Sequence, residues 1–312
     1  MTATTAPPAA KRRRRRFSLL TRTDKLVLAL LVGVPAVVHI FLVWVPTIAS
    51  IGLSFTSWNG IGGLENIEFV GLENYQKLPS YPPFLPALGN NVLWLVVFLF
   101  IASPIGMFLA VLLDREIRGT RFYQSALYLP VVLSLAIVGF IWELMYSVDE
   151  GFINNILAIF LGANPKIDFL GNRDINIFSV LVAASWRHIG YIMVLYLAGL
   201  KSVDNTLREA AAIDGANARQ TFFRVVFPVL QPINIVVLVV TIIEALRAFD
   251  IVYIINRGLN GLGLLSVLIT NNIVGKASRI GFGSAIAVIL LLVSVGPIIL
   301  YLQRAMRDTG GS

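Results

Sequence analysis

Apolar residues fill long blocks of this chain, and polar residues gather in the gaps between them. A helix that crosses a bilayer needs about 20 mostly apolar residues. Six blocks are that long, at about 26–53, 91–113, 125–147, 178–200, 233–256 and 283–303. The pattern predicts an all-α membrane protein with six transmembrane helices. Pro35, Pro46, Pro104 and Pro130 fall inside the blocks. Membrane helices accept such residues because neighbouring groups re-satisfy the freed backbone.

The gaps set the expected orientation. With the N-terminus in the cytoplasm, the inner segments hold 17 Lys and Arg residues and the outer loops hold 6. Cytoplasmic loops carry the excess of positive charge, so both termini are expected inside. The layout is then a basic cytoplasmic tail (1–25), a first helix with its external loop (26–84), a five-helix core (85–303) and a cytoplasmic C-terminal tail (304–312). The polar stretch 201–232 becomes a cytoplasmic loop of the core. Leu26 to Ala49 is too long for the apolar part of a cleaved leader, about 7–15 residues, and is read as retained. The external loop carries Trp58, Tyr75, Tyr81 and four prolines, and is expected to be ordered.

Composition supports bilayer solvent. The 312 residues are 57% hydrophobic and 13% charged, against about a quarter charged in soluble domains. The net charge of +8 is concentrated in Lys11 to Arg16, directly before the first apolar block. That placement reads as a topology signal with access to anionic lipid, and not as a nucleic-acid surface. There is no cysteine, and His39 and His188 stand far apart, so no metal site is expected.

The loop 201–232 reads KSVDNTLREAAAIDGANARQTFFRVVFPVLQP. Thr206 and Glu209 have the spacing of a capping box, Ala210 to Ala212 favour helix, and Gly215 can end it. A second short helix is expected from Ala216 to Phe227. Glu209 either serves its own helix alone or also meets a partner protein. Three alanines and a glycine leave the backbone open to close approach.

Charged side chains inside a span usually face a bundle interior or a cavity. Glu244, Arg247 and Asp250 share one side of the fifth block, with Tyr253 following. They either neutralise one another and fix packing, or line a wet cavity and hydrogen-bond a solute. Trp186 in the fourth block is a candidate for the apolar face of a sugar, or a packing residue.

Glu209-Ala210-Ala211, then Asp214-Gly215-Ala216, Phe227-Pro228 and Pro232, resemble the EAA signature of permease subunits of binding-protein-dependent ABC importers. Residues 128–157, 198–211 and 245–255 resemble the sugar-transport branch, the maltose and glycerol-phosphate type. The resemblance implies a type I ABC importer permease fold in a bacterial cytoplasmic membrane. It implies a coupling helix in which Glu209, Ala210, Ala211, Asp214 and Gly215 dock onto an ATPase. It further implies a second homologous permease, two ATPase subunits and an extracytoplasmic solute-binding protein. The chain has no phosphate-binding G-x-x-x-x-G-K-[ST] loop, so ATP and magnesium are expected to be used by the partner ATPases and this subunit to be non-catalytic. The expected cargo is a sugar or oligosaccharide. Glycerol phosphate or another polar solute is the alternative cargo, and an ion-coupled secondary transporter the alternative class.

Overall fold

A computed structural model describes residues 21–115, 118–163, 165–275 and 278–309. The basic run Lys11 to Arg16 lies outside the described residues. Residues 1–49 form one unit and residues 50–312 a second.

A capping box starts helix α1 (Thr23–Leu53). The Thr21 hydroxyl accepts from the Asp24 N–H at 3.2 Å, and the Asp24 carboxylate accepts from the Thr21 N–H at 2.8 Å.

The second unit is built from helices α2 (Phe84–Asp114), α3 (Thr120–Val132), α4 (Leu135–Met145), α5 (Phe152–Leu161) and α6 (Asn176–Ser202). There follow α7 (Asn205–Ile213), α8 (Ala218–Val229), α9 (Gln231–Leu246), α10 (Asp250–Asn256), α11 (Leu265–Ile273) and α12 (Ile280–Thr309). Among the described residues four helices are long and apolar enough to cross a membrane, or six if each of two bent pairs makes one span.

Two blocks depart from the straight spans that the pattern predicts. Over 125–147 there are two helices, α3 and α4, which meet at 102°. Leu133 is extended and the Ser134 hydroxyl caps α4 by accepting from the Ile137 N–H at 3.3 Å. A serine cap offers the backbone an alternative to helix. Over 233–256 the helix breaks between α9 and α10, at Arg247 to Phe249. Glu244, Arg247 and Asp250 therefore do not share one continuous helix face.

Three helices carry a π turn: Ile40–Trp44 in α1, Phe98–Ala102 in α2 and Phe222–Val226 in α8. Each ends two residues before a proline: Pro46, Pro104 and Pro228. A helical proline lacks its N–H and its ring crowds the carbonyl four residues back. That carbonyl lies inside the π turn each time, where the wider turn makes room for it.

Helices in a membrane pack by close contact, because lipid is as apolar as the side chains. Ala102, Gly106 and Ala110, four residues apart, line the face of α2 that packs on α6. Both alanines have 0% exposure. A Cβ on Gly106 would sit 2.8 Å from the Ile189 carbonyl oxygen, and one on Gly190 only 2.3 Å from that of Leu127. The α2–α6 and α3–α6 contacts therefore bring backbone nearly against backbone.

Buried asparagines tie the connections to the helix ends. Asn91 on α2 accepts from the Leu265 N–H at 2.9 Å, at the start of α11. Asn154, fully buried, donates to the Ile167 carbonyl and accepts from the Ile167 N–H at 2.9 and 3.0 Å. The loop after α1 is ordered, with Asn74 donating to the Ser54 and Thr56 carbonyls. Each bond satisfies backbone groups that a loop would otherwise leave unpaired.

Candidate functional site

The polar loop forms a rigid helix–turn–helix. Asp204 caps α7, its carboxylate accepting from the Thr206 N–H at 2.9 Å. This corrects the capping box expected at Thr206 and Glu209: an aspartate two residues earlier is as good a cap, so α7 begins sooner and Glu209 sits mid-helix. The hydrogen bonds from Thr206 hold the Asp204 carboxyl below the usual carboxylate range.

Gly215 ends α7 with φ +78°. The Ala216 N–H bonds to the Ala211 carbonyl at 2.9 Å and the Gly215 N–H to that of Ala212 at 3.1 Å. These are the two bonds of a Schellman turn. Asn217 and Gln220 then make a reciprocal capping box at the start of α8, both bonds 2.9 Å. The expected second helix over 216–227 is present as α8, shifted to begin at Ala218 and interrupted by its π turn.

One face of α7 is pinned to the rest of the unit. The Arg208 guanidinium lies 2.8 Å from the Asp114 carboxylate at the end of α2 and donates to the Leu200 carbonyl at 3.3 Å. Ala211 is buried on the same side, one turn further along. It faces its own chain, with 7% of its surface exposed. The opposite face exposes Glu209, Ala210, Asp214 and Gly215. Ile213 joins them with 87% of its surface exposed. The sequence signals that residue only as an apolar side chain on a polar face.

The second locus is a cavity of about 200 Å³ between α2, α4, α6, α9 and α10. Glu244, Arg247 and Asp250 all line it. Arg187 and His188 from α6 and Trp94 and Phe98 from α2 join them. Arg187 lies 3.4 Å from Glu244. Among the described residues Arg247 forms no ion pair with Glu244 or Asp250, so the mutual neutralisation weighed for that triad is not present. Trp186 and Tyr253 do not line the cavity. Trp186 packs edge-on against Trp142 at 5.9 Å, and Tyr253 stacks on Phe249 at 4.8 Å.

In the cavity wall His188 is almost fully buried. Its Nε2 is 3.4 Å from the Ser103 hydroxyl and 3.3 Å from that of Thr241, and those two hydroxyls are 3.1 Å apart. The imidazole stacks on Phe98 at 4.2 Å. This polar knot joins α2, α6 and α9. Periodicity offers no sign of it, since Ser103 and Thr241 are small polar residues within apolar blocks.

The family model described as binding-protein-dependent transport system inner membrane component matches residues 151–308. The xylose/arabinose import permease protein XacH of Haloferax volcanii is 34% identical over 284 residues, covering 89% of this chain and 87% of its own. This chain belongs to that inner-membrane component family. The arabinooligosaccharides transport system permease protein AraP of Bacillus subtilis is 32% identical over 232 residues, 73% of each chain. In fold, the component resembles a chain of a bacterial alginate ABC transporter solved in complex with an alginate pentasaccharide-bound periplasmic protein. The TM-score is 0.76 at 21% identity, covering 93% of this chain and 96% of that one. The component thus has the all-helical type I importer permease fold.

Proposed function

We propose that this chain is one of two permease subunits of an ATP-driven importer, and that its cargo is a neutral sugar or oligosaccharide. A solute-binding protein delivers the cargo on the extracytoplasmic side. Two ATPase subunits, which use ATP and magnesium, dock on the exposed face of α7. The subunit itself is non-catalytic and sits in the cytoplasmic membrane with both termini inside, as the 17 to 6 bias of Lys and Arg supports. Glu209, Ala210, Ile213, Asp214 and Gly215 form the docking surface.

The observation that carries the cargo assignment is the charge balance of the cavity. Arg187 and Arg247 line it together with Glu244 and Asp250, two charges of each sign, with Trp94 and Phe98 alongside. Carboxylates accept from hydroxyls and guanidinium groups donate to them, while aromatic rings suit the apolar face of a sugar ring. A phosphorylated solute would favour an excess of cations, which this lining lacks. Relatives named for xylose, arabinose and arabinooligosaccharides support the same reading.

The test is ATP-dependent uptake by the reconstituted importer, comparing neutral pentoses and their oligomers with glycerol phosphate. Glu244→Gln and Asp250→Asn should raise the half-saturating sugar concentration. Unchanged affinity and rate in both variants would remove the cavity from the pathway, and preferred uptake of the phosphate ester would overturn the neutral cargo.

A further inference from the structure

A wide groove of about 1070 Å³ opens where α2 and α6 end. Asp114 is the last residue of α2, and Leu200, Lys201 and Val203 bracket the end of α6. All four line the groove, with Arg115, Arg121 and Arg208. Asp114 is engaged by Arg208 at 2.8 Å. Among the described residues Arg115, Arg121 and Lys201 form no ion pair, and all three are exposed. Among the described residues, then, three cations of the groove stand outside any ion pair. The first turn of α3 also faces it through Thr120 and Arg121. A helix N-terminus adds a favourable field for an anion.

The depth of the groove points to its occupant. Two apolar helices long enough to span end there together, which is where the hydrocarbon gives way to headgroups. Running from the mouth along α3, Phe122, Leu129 and Val132 are exposed by 73%, 57% and 69%. Their i, i+7, i+10 spacing puts them on one side of the helix. A cationic hollow at headgroup depth beside an apolar stripe fits a molecule with an anionic head and acyl chains. Basic pockets between membrane helices on the cytoplasmic side bind such headgroups.

We infer that the groove between α2, α3 and α6 binds the phosphate of an anionic phospholipid. Arg115, Arg121 and Lys201 hold the headgroup, and Phe122, Leu129 and Val132 receive a chain. With the orientation proposed above, the lipid belongs to the cytoplasmic leaflet. It sits against Arg208, so it also braces the ion pair that holds α7.

The test is native mass spectrometry of the purified subunit in neutral detergent with phosphatidylglycerol or phosphatidylcholine, each with and without millimolar inorganic phosphate. Phosphatidylglycerol should be retained in preference, and inorganic phosphate should not displace it. Arg121→Gln should weaken that retention about five-fold, the effect of one cation near the surface. The combined Arg115→Gln, Arg121→Gln and Lys201→Gln variant should lose the preference. Arg121→Lys should restore most of it, which separates loss of charge from misfolding. Equal retention of both lipids, or full displacement by inorganic phosphate, overturns the assignment. Loss of the lipid when the ATPase subunits bind would give the groove to a protein interface and overturn it too. ATPase co-purification and sugar uptake report on the proposed function separately from these results.

Discussion

Arg208 on α7 places its guanidinium 2.8 Å from the carboxylate of Asp114, the last residue of α2. The same α2 carries Trp94 and Phe98 into the cavity. One helix thus runs from the contact with α7 to the polar cavity. A displacement of α7 has a direct mechanical route to the groups that line it.

Breaking that pair should uncouple the two ends. Asp114→Ala or Arg208→Ala should lower stability by about 1 kcal/mol, a charge-assisted bond discounted for its partial exposure. Transport should fall further than ATP hydrolysis does. A double-mutant cycle checks the assignment: the double variant should be little worse than either single one. Fully additive losses would show that the two side chains do not act together.

At Gly215 the constraint is backbone conformation. Its φ is +78° and an added Cβ would meet nothing within 4 Å. Gly215→Ala should therefore cost about 1–2 kcal/mol through strain alone. Gly215→Asn should cost less, because asparagine tolerates the left-handed region. Gly215→Asp should insert into the membrane but couple poorly, since it adds charge to the proposed docking face. ATPase co-purification and uptake, measured for all three, should rank asparagine above alanine.

Acid should loosen α7. The Asp204 carboxyl is held below its usual range by the Thr206 hydrogen bonds. A depressed carboxylate contributes stability above the pKa of the unfolded chain and loses it as pH falls through the folded value. Hydrogen exchange of residues 205–213, corrected for intrinsic rates, should be slow at neutral pH and accelerate below about pH 4. Asp204→Asn should keep the cap and flatten this dependence. Asp204→Ala should exchange fast at every pH.

The α2–α6 contact is sensitive to a single methyl group. Gly106→Ala places its Cβ 2.8 Å from the Ile189 carbonyl oxygen and 2.9 Å from the Ile192 Cβ. Overpacking of this kind costs about 1–3 kcal/mol. A lower melting temperature in detergent is expected. Gly33→Ala, with nothing within 4 Å of the new Cβ, should show no such loss.

The membrane class was legible because apolar blocks and basic gaps are long-range signals that average over many residues. The Gly215 turn was legible because positive φ restricts residue choice. The start of α7 was misplaced, since Asp204 and Thr206 are both competent caps two residues apart and only folded geometry selects one. The breaks at Leu133–Ser134 and at Arg247–Phe249 were hidden inside apolar composition. That also obscured the cavity. Glu244, Arg247 and Asp250 stood out as charges in a span, whereas Trp94, Phe98 and His188 look like ordinary packing residues until five helices converge on them. Trp186 and Tyr253 stand out by residue type alone; Trp186 packs on Trp142, and Tyr253 stacks on the lining residue Phe249.

The π turn at Phe98–Ala102 sets a reading frame for the helix that follows it. It accommodates one residue more than an α-helical turn would. Ser103 and everything after it is thereby rotated by about 100° from where an uninterrupted helix would put it. That rotation aims Ser103 at His188 and Gly106 at Ile189. Deleting one residue between Val97 and Ser103 would keep the hydropathy of the span and turn its small-residue face away from α6. In this segment the count of residues is as informative as their chemistry.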